Sequence, residues 1–245
     1  MRKSEDCYVD QLFGGVSDLG APLIAARFPR AYIDVNREPY ELDPELFHEP
    51  LPPFANTQSV RVVGGLGTIA RIVADSEEIY RDQLSVAAAL LRIELLYKPF
   101  HSSLSALLED ARRRFGLAIL IDCHSMPSIS AGQPNAARPD FVLGDRFGAA
   151  CDGKLTRYLR DRLTEAGFAV HINRPYAGGF ITEHYGRPAR GIHALQIEIN
   201  RALYMNETTF EPTSGFADLR LEMTRVMGRL IADAPVVFGG RAAAE

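Results

Sequence analysis

Residues 117–127 read LAILIDCHSMP: five apolar residues in succession, then Asp122, Cys123 and His124, and a proline at the end. A run that is apolar at consecutive positions predicts a strand covered on both faces, as in the middle of a parallel or mixed sheet with helices around it. Gly116 stands just before the run, and glycine commonly ends a helix. The segment therefore predicts a helix followed by a central strand, the arrangement of an α/β protein.

Strand and helix patterns alternate along the rest of the chain. Strands are predicted at 31–35, 60–63, 66–73, 117–122, 168–172 and 192–199, and helices at 84–96, 103–115, 154–166 and 217–232. We expect one α/β domain over residues 1–238, with a mixed or mostly parallel sheet flanked by helices, and a flexible tail over 239–245. Residues 49–59 and 126–139 have the composition of loops, and loops of that length inside a domain are often functional.

Composition excludes several classes of protein. The formal net charge is −4, and the basic cluster at 112–114 is typical of a solvated helix end, so no nucleic-acid partner is expected. Cys7, Cys123 and Cys151 form an odd set without CxxC spacing, which favours a reducing compartment. No stretch approaches 18 apolar residues, so we expect a soluble cytoplasmic protein without a membrane partner.

The strand ending at His124 carries the first candidate site. Asp122 and His124 are two residues apart and therefore lie on the same face of the strand. His124 is a candidate metal ligand, although a hydrogen-bonded histidine closing a turn fits the pattern equally well. A nucleophile–base pair of Cys123 and His124 is not expected, because neighbouring strand residues point to opposite faces.

The strand at 192–199 carries the second candidate. Gln196, Glu198 and Asn200 share one face of a strand whose other face is apolar. A carboxylate on so apolar a strand is costly to bury alone, so Glu198 needs a metal, a metal-bound water or an arginine as partner. The alternative is an edge strand with a polar, solvent-facing stripe.

Two further segments offer groups that bind anions. Arg30 and Arg37 lie close to Asn36, and arginine can grip a carboxylate with two parallel hydrogen bonds, although an ion pair with Asp34 is the commoner use of such an arginine.

The second of these segments is 173–182. The adjacent glycines Gly178 and Gly179 let backbone amides approach a ligand, and Arg174 adds a second possible carboxylate donor. A plain tight turn also fits.

Taken together, these segments resemble the N-formylglutamate amidohydrolase family, enzymes of histidine breakdown that release formate and glutamate. The resemblance covers roughly residues 6–230, in the family's order. It rests on residues 30–42, 65–69, 97–101, 120–127, 173–182, 185–188, 195–201 and 203–205.

The resemblance implies metal-dependent hydrolysis of N-formyl-L-glutamate to formate and L-glutamate, on a fold related to zinc carboxypeptidases and aspartoacylase. The implied cofactor is a divalent metal, zinc by preference, held by His124 and Asp10. Glu198 would be the general base that activates water. The implied substrate-binding residues are Arg30, Asn36, Arg37, Arg174, Tyr176, Gly178, Gly179 and Thr182.

One feature of the family is missing from this sequence. Family members usually carry a Pro-His-Ser-Gly segment upstream, whose histidine would be a first metal ligand. His124 and Asp10 alone leave a catalytic zinc site one ligand short. Three interpretations stay open: a chain that lacks its N-terminal strand, a related N-acyl amino acid amidohydrolase, and a non-catalytic carboxylate-binding relative without a complete metal site.

Overall fold

A computed structural model describes residues 2–73, 77–128 and 139–239. By its internal contacts the chain forms two compact units, one of Met1–Glu5 with Ala25–Ala106 and one of Asp6–Ile24 with Leu107–Glu245. One domain over 1–238 stays a prediction. The predicted loop at 126–139 and tail at 239–245 lie largely outside the described residues.

The second unit contains a four-stranded sheet among the residues described. Its strands are β1 (Ala118–Met126), β2 (Phe141–Gly144), β3 (Val170–Ile172) and β4 (Ile192–Asn200). They lie in the order β1-β4-β2-β3; β1 and β4 are parallel, β2 and β3 are parallel, and β2 runs antiparallel to β4. The prediction of an α/β fold with a mixed sheet is confirmed.

Helices make up much of the described chain outside the sheet. The α-helices are α1 (Val9–Leu12), α2 (Val60–Val63), α3 (Val86–Arg92), α4 (Lys98–Phe115), α5 (Gly153–Glu165), α6 (Phe180–Tyr185) and α7 (Gly215–Phe238). Short 3₁₀ turns occupy Arg2–Ser4, Gly14–Leu19, Pro44–Leu46, Pro188–Arg190 and Arg201–Leu203. None of the helices in the described residues is long and apolar enough to cross a membrane.

The two faces of β4 have different surroundings. Leu195, Ile197 and Ile199 belong to one buried cluster with apolar side chains of α1, α5 and α7. Burying each such side chain stabilises the fold by about 1.5–3 kcal/mol. Gln196 and Glu198 alternate with them and therefore lie on the other face. The alternation thus places α1, α5 and α7 on one side of the sheet and gathers polar side chains on the other.

Three predicted strands of the first unit are wrong. Residues 31–35 form turns and not a strand. The Asp34 side chain accepts a hydrogen bond from the Asn36 backbone amide, which competes with the backbone hydrogen bonds of a sheet. Residues 60–63 are helix α2, capped by the Ser59 hydroxyl. Residues 66–73 contribute only an isolated bridge from Ile72.

Other predictions differ from the structure at element ends. The predicted helices 84–96 and 103–115 form one continuous helical run, in which a π-helical segment, Ile93–Tyr97, joins α3 to α4. Pro99 lies inside this run and supplies no N–H for a helical hydrogen bond. Strand β2 was not predicted, because four residues are too few to display a period.

Candidate active site

His124 is held between two carboxylates on the polar side of the sheet. Its Nδ1 atom lies 3.0 Å from Oδ2 of Asp6, and its Nε2 atom lies 2.9 Å from Oδ1 of Asp122. Burial by itself lowers the pKa of His124, but Asp122 and Asp6 raise it well above its usual value. Each of these carboxylates can accept a hydrogen bond from the ring nitrogen that it faces.

The acidic partner near the start of the chain is Asp6, whereas the sequence pointed to Asp10. Asp10 is exposed on α1. Cys123 faces the apolar cluster, and burial, with the charges of Asp122 and Asp6, raises its pKa well above its ordinary value. Its thiol is therefore not a nucleophile paired with His124, as the alternation along the strand predicted.

Asp6 is also fixed by Ser125 on the same strand. Its Oδ1 atom accepts from the Ser125 backbone amide at 2.7 Å and from the Ser125 hydroxyl at 3.0 Å. The buried Arg201 in turn donates from Nε to the Ser125 hydroxyl oxygen at 3.0 Å. A continuous network therefore connects the end of β4 to His124.

Glu198 is buried on β4, in register with His124 on β1. Its Oε1 atom accepts from Nε2 of Gln196 at 2.6 Å. The Oε1 atom of Gln196 accepts from the Gly179 backbone amide, also at 2.6 Å. The Gly179 N–H, which the sequence suggested for a ligand, is thus engaged within the protein.

The segment at 173–182 comes close to the same groups. Thr182 is fully buried on α6, with Oγ1 3.5 Å from Oδ2 of Asp122. Gly178 adopts a φ of 112°, which favours glycine, and its carbonyl accepts from Arg146. Arg174 is exposed and has no ion pair with any residue that the structure describes, so its charge is available to a ligand. Tyr176 is partly buried.

The first unit holds the other predicted anion-binding residues. Asp34 is buried and accepts from Nε of Arg30 at 2.8 Å, and Nη2 of Arg37 lies 3.5 Å away. Burial by itself raises the pKa of Asp34, but the two guanidinium groups bring it below its ordinary value. Asn36 is buried beside them. The structure brings the predicted clamp residues together, organised around Asp34.

The backbone of this group is held by side chains that the sequence did not single out for the task. The Tyr97 hydroxyl donates to the Arg37 carbonyl at 2.7 Å, and Nε2 of His101 lies 2.9 Å from the Val35 carbonyl oxygen. Arg37 itself donates from Nε to the Leu66 carbonyl at 3.0 Å. Much of the donor capacity of Arg37 is therefore used inside the unit.

The described residues fit part of a metal site. His124 and Asp6 offer one nitrogen and one oxygen donor, and a carboxylate such as Asp122 on the second ring nitrogen commonly orients a metal-binding histidine. No group of three or more His, Cys, Asp or Glu side chains in the described ranges is placed to hold an ion. A catalytic zinc has three protein ligands, so the set is not a complete site.

Sequence reasoning gave Asp6 no role in the candidate site. It placed Gln196 on the strand face of Glu198 but did not give it a task there. Asp6 carries no such local signal, since its partner is 118 residues further along the chain.

Comparison with known proteins defines the class. The family model for N-formylglutamate amidohydrolase matches residues 1–205. N-formylglutamate deformylase of Pseudomonas putida is 32% identical over 237 residues, covering 96% of this chain and 82% of that protein. The Pseudomonas aeruginosa deformylase is 29% identical with the same coverage.

A solved structure agrees with these sequence matches. The crystal structure of N-formylglutamate amidohydrolase from Ralstonia eutropha JMP134 superposes with a TM-score of 0.88 at 37% identity, covering 94% of this chain and 84% of that one. The fold is that of an α/β enzyme of the amidohydrolase class. The chain belongs to the N-formylglutamate amidohydrolase family.

Proposed function

We propose that this enzyme hydrolyses N-formyl-L-glutamate to formate and L-glutamate. The observation that carries the proposal is the buried Glu198 on β4, in register with His124 on the neighbouring strand and oriented by Gln196. The deformylase relatives support the choice of substrate. A buried carboxylate of fixed orientation is suited to take a proton from water and return it to the leaving nitrogen.

Each group of residues has a separate task in this proposal. Glu198 is the general base and then the general acid. Arg30, Asn36 and Arg37 bind one carboxylate of the substrate, with Asp34 holding the arginines in place. Arg174 binds the second carboxylate, which is consistent with its lack of an ion-pair partner among the described residues.

We also propose that the reaction depends on a divalent metal, with zinc as the first choice and His124 and Asp6 among its ligands. When bound, such an ion lowers the pKa of a water molecule and polarises an amide carbonyl. A metal-bound histidine is neutral at the nitrogen that holds the ion, so metal affinity should fall at low pH. A role in histidine degradation in the cytoplasm belongs to the same proposal.

The test is formate release from N-formylglutamate by the purified chain, after chelation and after addition of zinc, manganese or cobalt. We expect metal-dependent release that Glu198→Gln lowers by about 10²- to 10⁴-fold. Glu211→Gln, at an exposed glutamate, is the matched control.

The other outcomes separate the alternative functions. Faster cleavage of N-acetylglutamate than of N-formylglutamate would identify a related N-acyl amino acid amidohydrolase. Binding of glutamate without turnover under any metal would identify a carboxylate-binding relative.

A further inference from the structure

Gln196 links the backbone of the 173–182 segment to the catalytic carboxylate. It accepts from the Gly179 amide and donates to Glu198, each across 2.6 Å. Gln196 and Glu198 are only 5% and 7% exposed, so water does not readily replace either bond. Because they stand two apart on one strand, both side chains project from the same face and reach each other without distorting the strand.

The direction of each hydrogen bond follows from chemistry. A backbone N–H can only donate, so the carboxamide oxygen of Gln196 must face Gly179. Its NH₂ group must then face Glu198, and since NH₂ can only donate, Oε1 of Glu198 must accept. One oxygen of Glu198 is therefore oriented by the carboxamide of Gln196.

A glycine on the adjacent strand makes this arrangement possible. Gly144 is the register partner of Gln196 on β2. A Cβ atom at Gly144 would lie 2.6 Å from the Gly178 nitrogen and 2.7 Å from the Ala177 carbonyl carbon. Only a residue without a side chain lets residues 177–179 lie against the sheet and present the Gly179 amide to Gln196.

We infer that Gln196 is a positioning residue of Glu198, with its carboxamide oriented by the Gly179 amide so that it holds Oε1 of Glu198 in place. The inference rests on the proposed function for its kinetic consequence. Its structural content, a fixed donor from Gln196 to Glu198, stands independently of the substrate.

Kinetics of two variants test the consequence. Gln196→Met keeps the shape and removes both bonds, whereas Gln196→Glu keeps an acceptor for Gly179 and places a second carboxyl group against Glu198 in place of the neutral amide donor. For both we expect kcat for N-formylglutamate to fall by about 10- to 100-fold, the worth of one hydrogen bond to a charged group, with KM changed less than about threefold. Gln58→Met, at an exposed glutamine, should leave both constants unchanged. Values of kcat within twofold of wild type in both Gln196 variants would overturn the inference.

A second measurement separates this inference from the proposed function. In the ¹H–¹⁵N spectrum the carboxamide resonances of Gln196, identified by their loss in Gln196→Met, should exchange slowly with solvent. Glu198→Ala should shift them and speed their exchange. If wild type releases no formate, the proposed function fails, but the spectrum still tests whether Gln196 donates to Glu198. Carboxamide resonances of Gln196 that Glu198→Ala leaves unchanged would overturn the inference.

Discussion

The imidazole of His124 meets the carboxylate of Asp6 across 3.0 Å, although the two residues are 118 positions apart in the chain. Asp6 also accepts two hydrogen bonds from Ser125, and these hold its carboxylate in place beside His124. The segment before α1 thus supplies a side chain to the polar face of the sheet, next to the strand that carries Glu198.

Asp6→Asn should lower bound metal and activity more than Asp10→Asn. The first change removes the charge beside His124, whereas the second alters an exposed position on α1. We also expect Asp6→Asn to reduce the free energy of unfolding by about 1–3 kcal/mol, because buried donors lose a charged acceptor. Metal content per chain, formate release and urea unfolding of the two variants check this. A larger loss of metal in Asp10→Asn would support the ligand suggested by the sequence.

Gly144→Ala should destabilise the enzyme and lower kcat. The added methyl group would sit 2.6 Å from the Gly178 nitrogen, so the 177–179 backbone must shift away from Gln196. Overpacking of this kind lowers the free energy of unfolding by about 1–3 kcal/mol. The melting temperature of Gly144→Ala should be compared with that of Gly14→Ala, in which the added methyl group meets nothing within 4 Å. Equal melting temperatures of the two variants would show that the 177–179 backbone shifts without loss of stability.

Arg174→Ala should raise KM for N-formylglutamate by about 10- to 100-fold, because a charge-assisted hydrogen bond to a carboxylate is lost. If the lost partner is the side-chain carboxylate, the same variant should change KM for N-formylglutamine much less. Steady-state kinetics on both substrates, with the exposed Arg190→Ala as control, measure the difference. An equal penalty on both substrates would assign Arg174 to the α-carboxylate or to neither.

Asp34→Asn should show a pH-dependent loss of stability. The pKa of Asp34 is depressed in the folded chain, so its charged form stabilises the fold above the unfolded value of about 3.9. This contribution is lost as pH falls through the lower folded pKa. The difference in unfolding free energy between wild type and Asp34→Asn should therefore be constant above about pH 5 and shrink toward pH 2. Asp82→Asn, at an exposed position, should show no such trend.

Local patterns predicted those strands and helices that are long enough for their apolar residues to repeat with a visible period. The strands at 117–122, 168–172 and 192–199 and the helices at 154–166 and 217–232 occur close to their predicted bounds. Where a side chain accepts from a nearby backbone amide, as Asp34 does from Asn36, apolar alternation failed as a guide to a strand. Asp34, Arg30 and Arg37 nevertheless come together as an ion-paired group, because they are close in sequence.

The sequence by itself determined the class of fold, the family and the face of the sheet on which Glu198 and His124 lie, since alternation along a strand is a property of neighbouring residues. Only the tertiary structure decided that Asp6 rather than Asp10 meets His124, and that the Gly179 amide orients Gln196. Those contacts join segments far apart in the chain. Their partners depend on strand order, register and the path of the connecting loops, which no local pattern encodes.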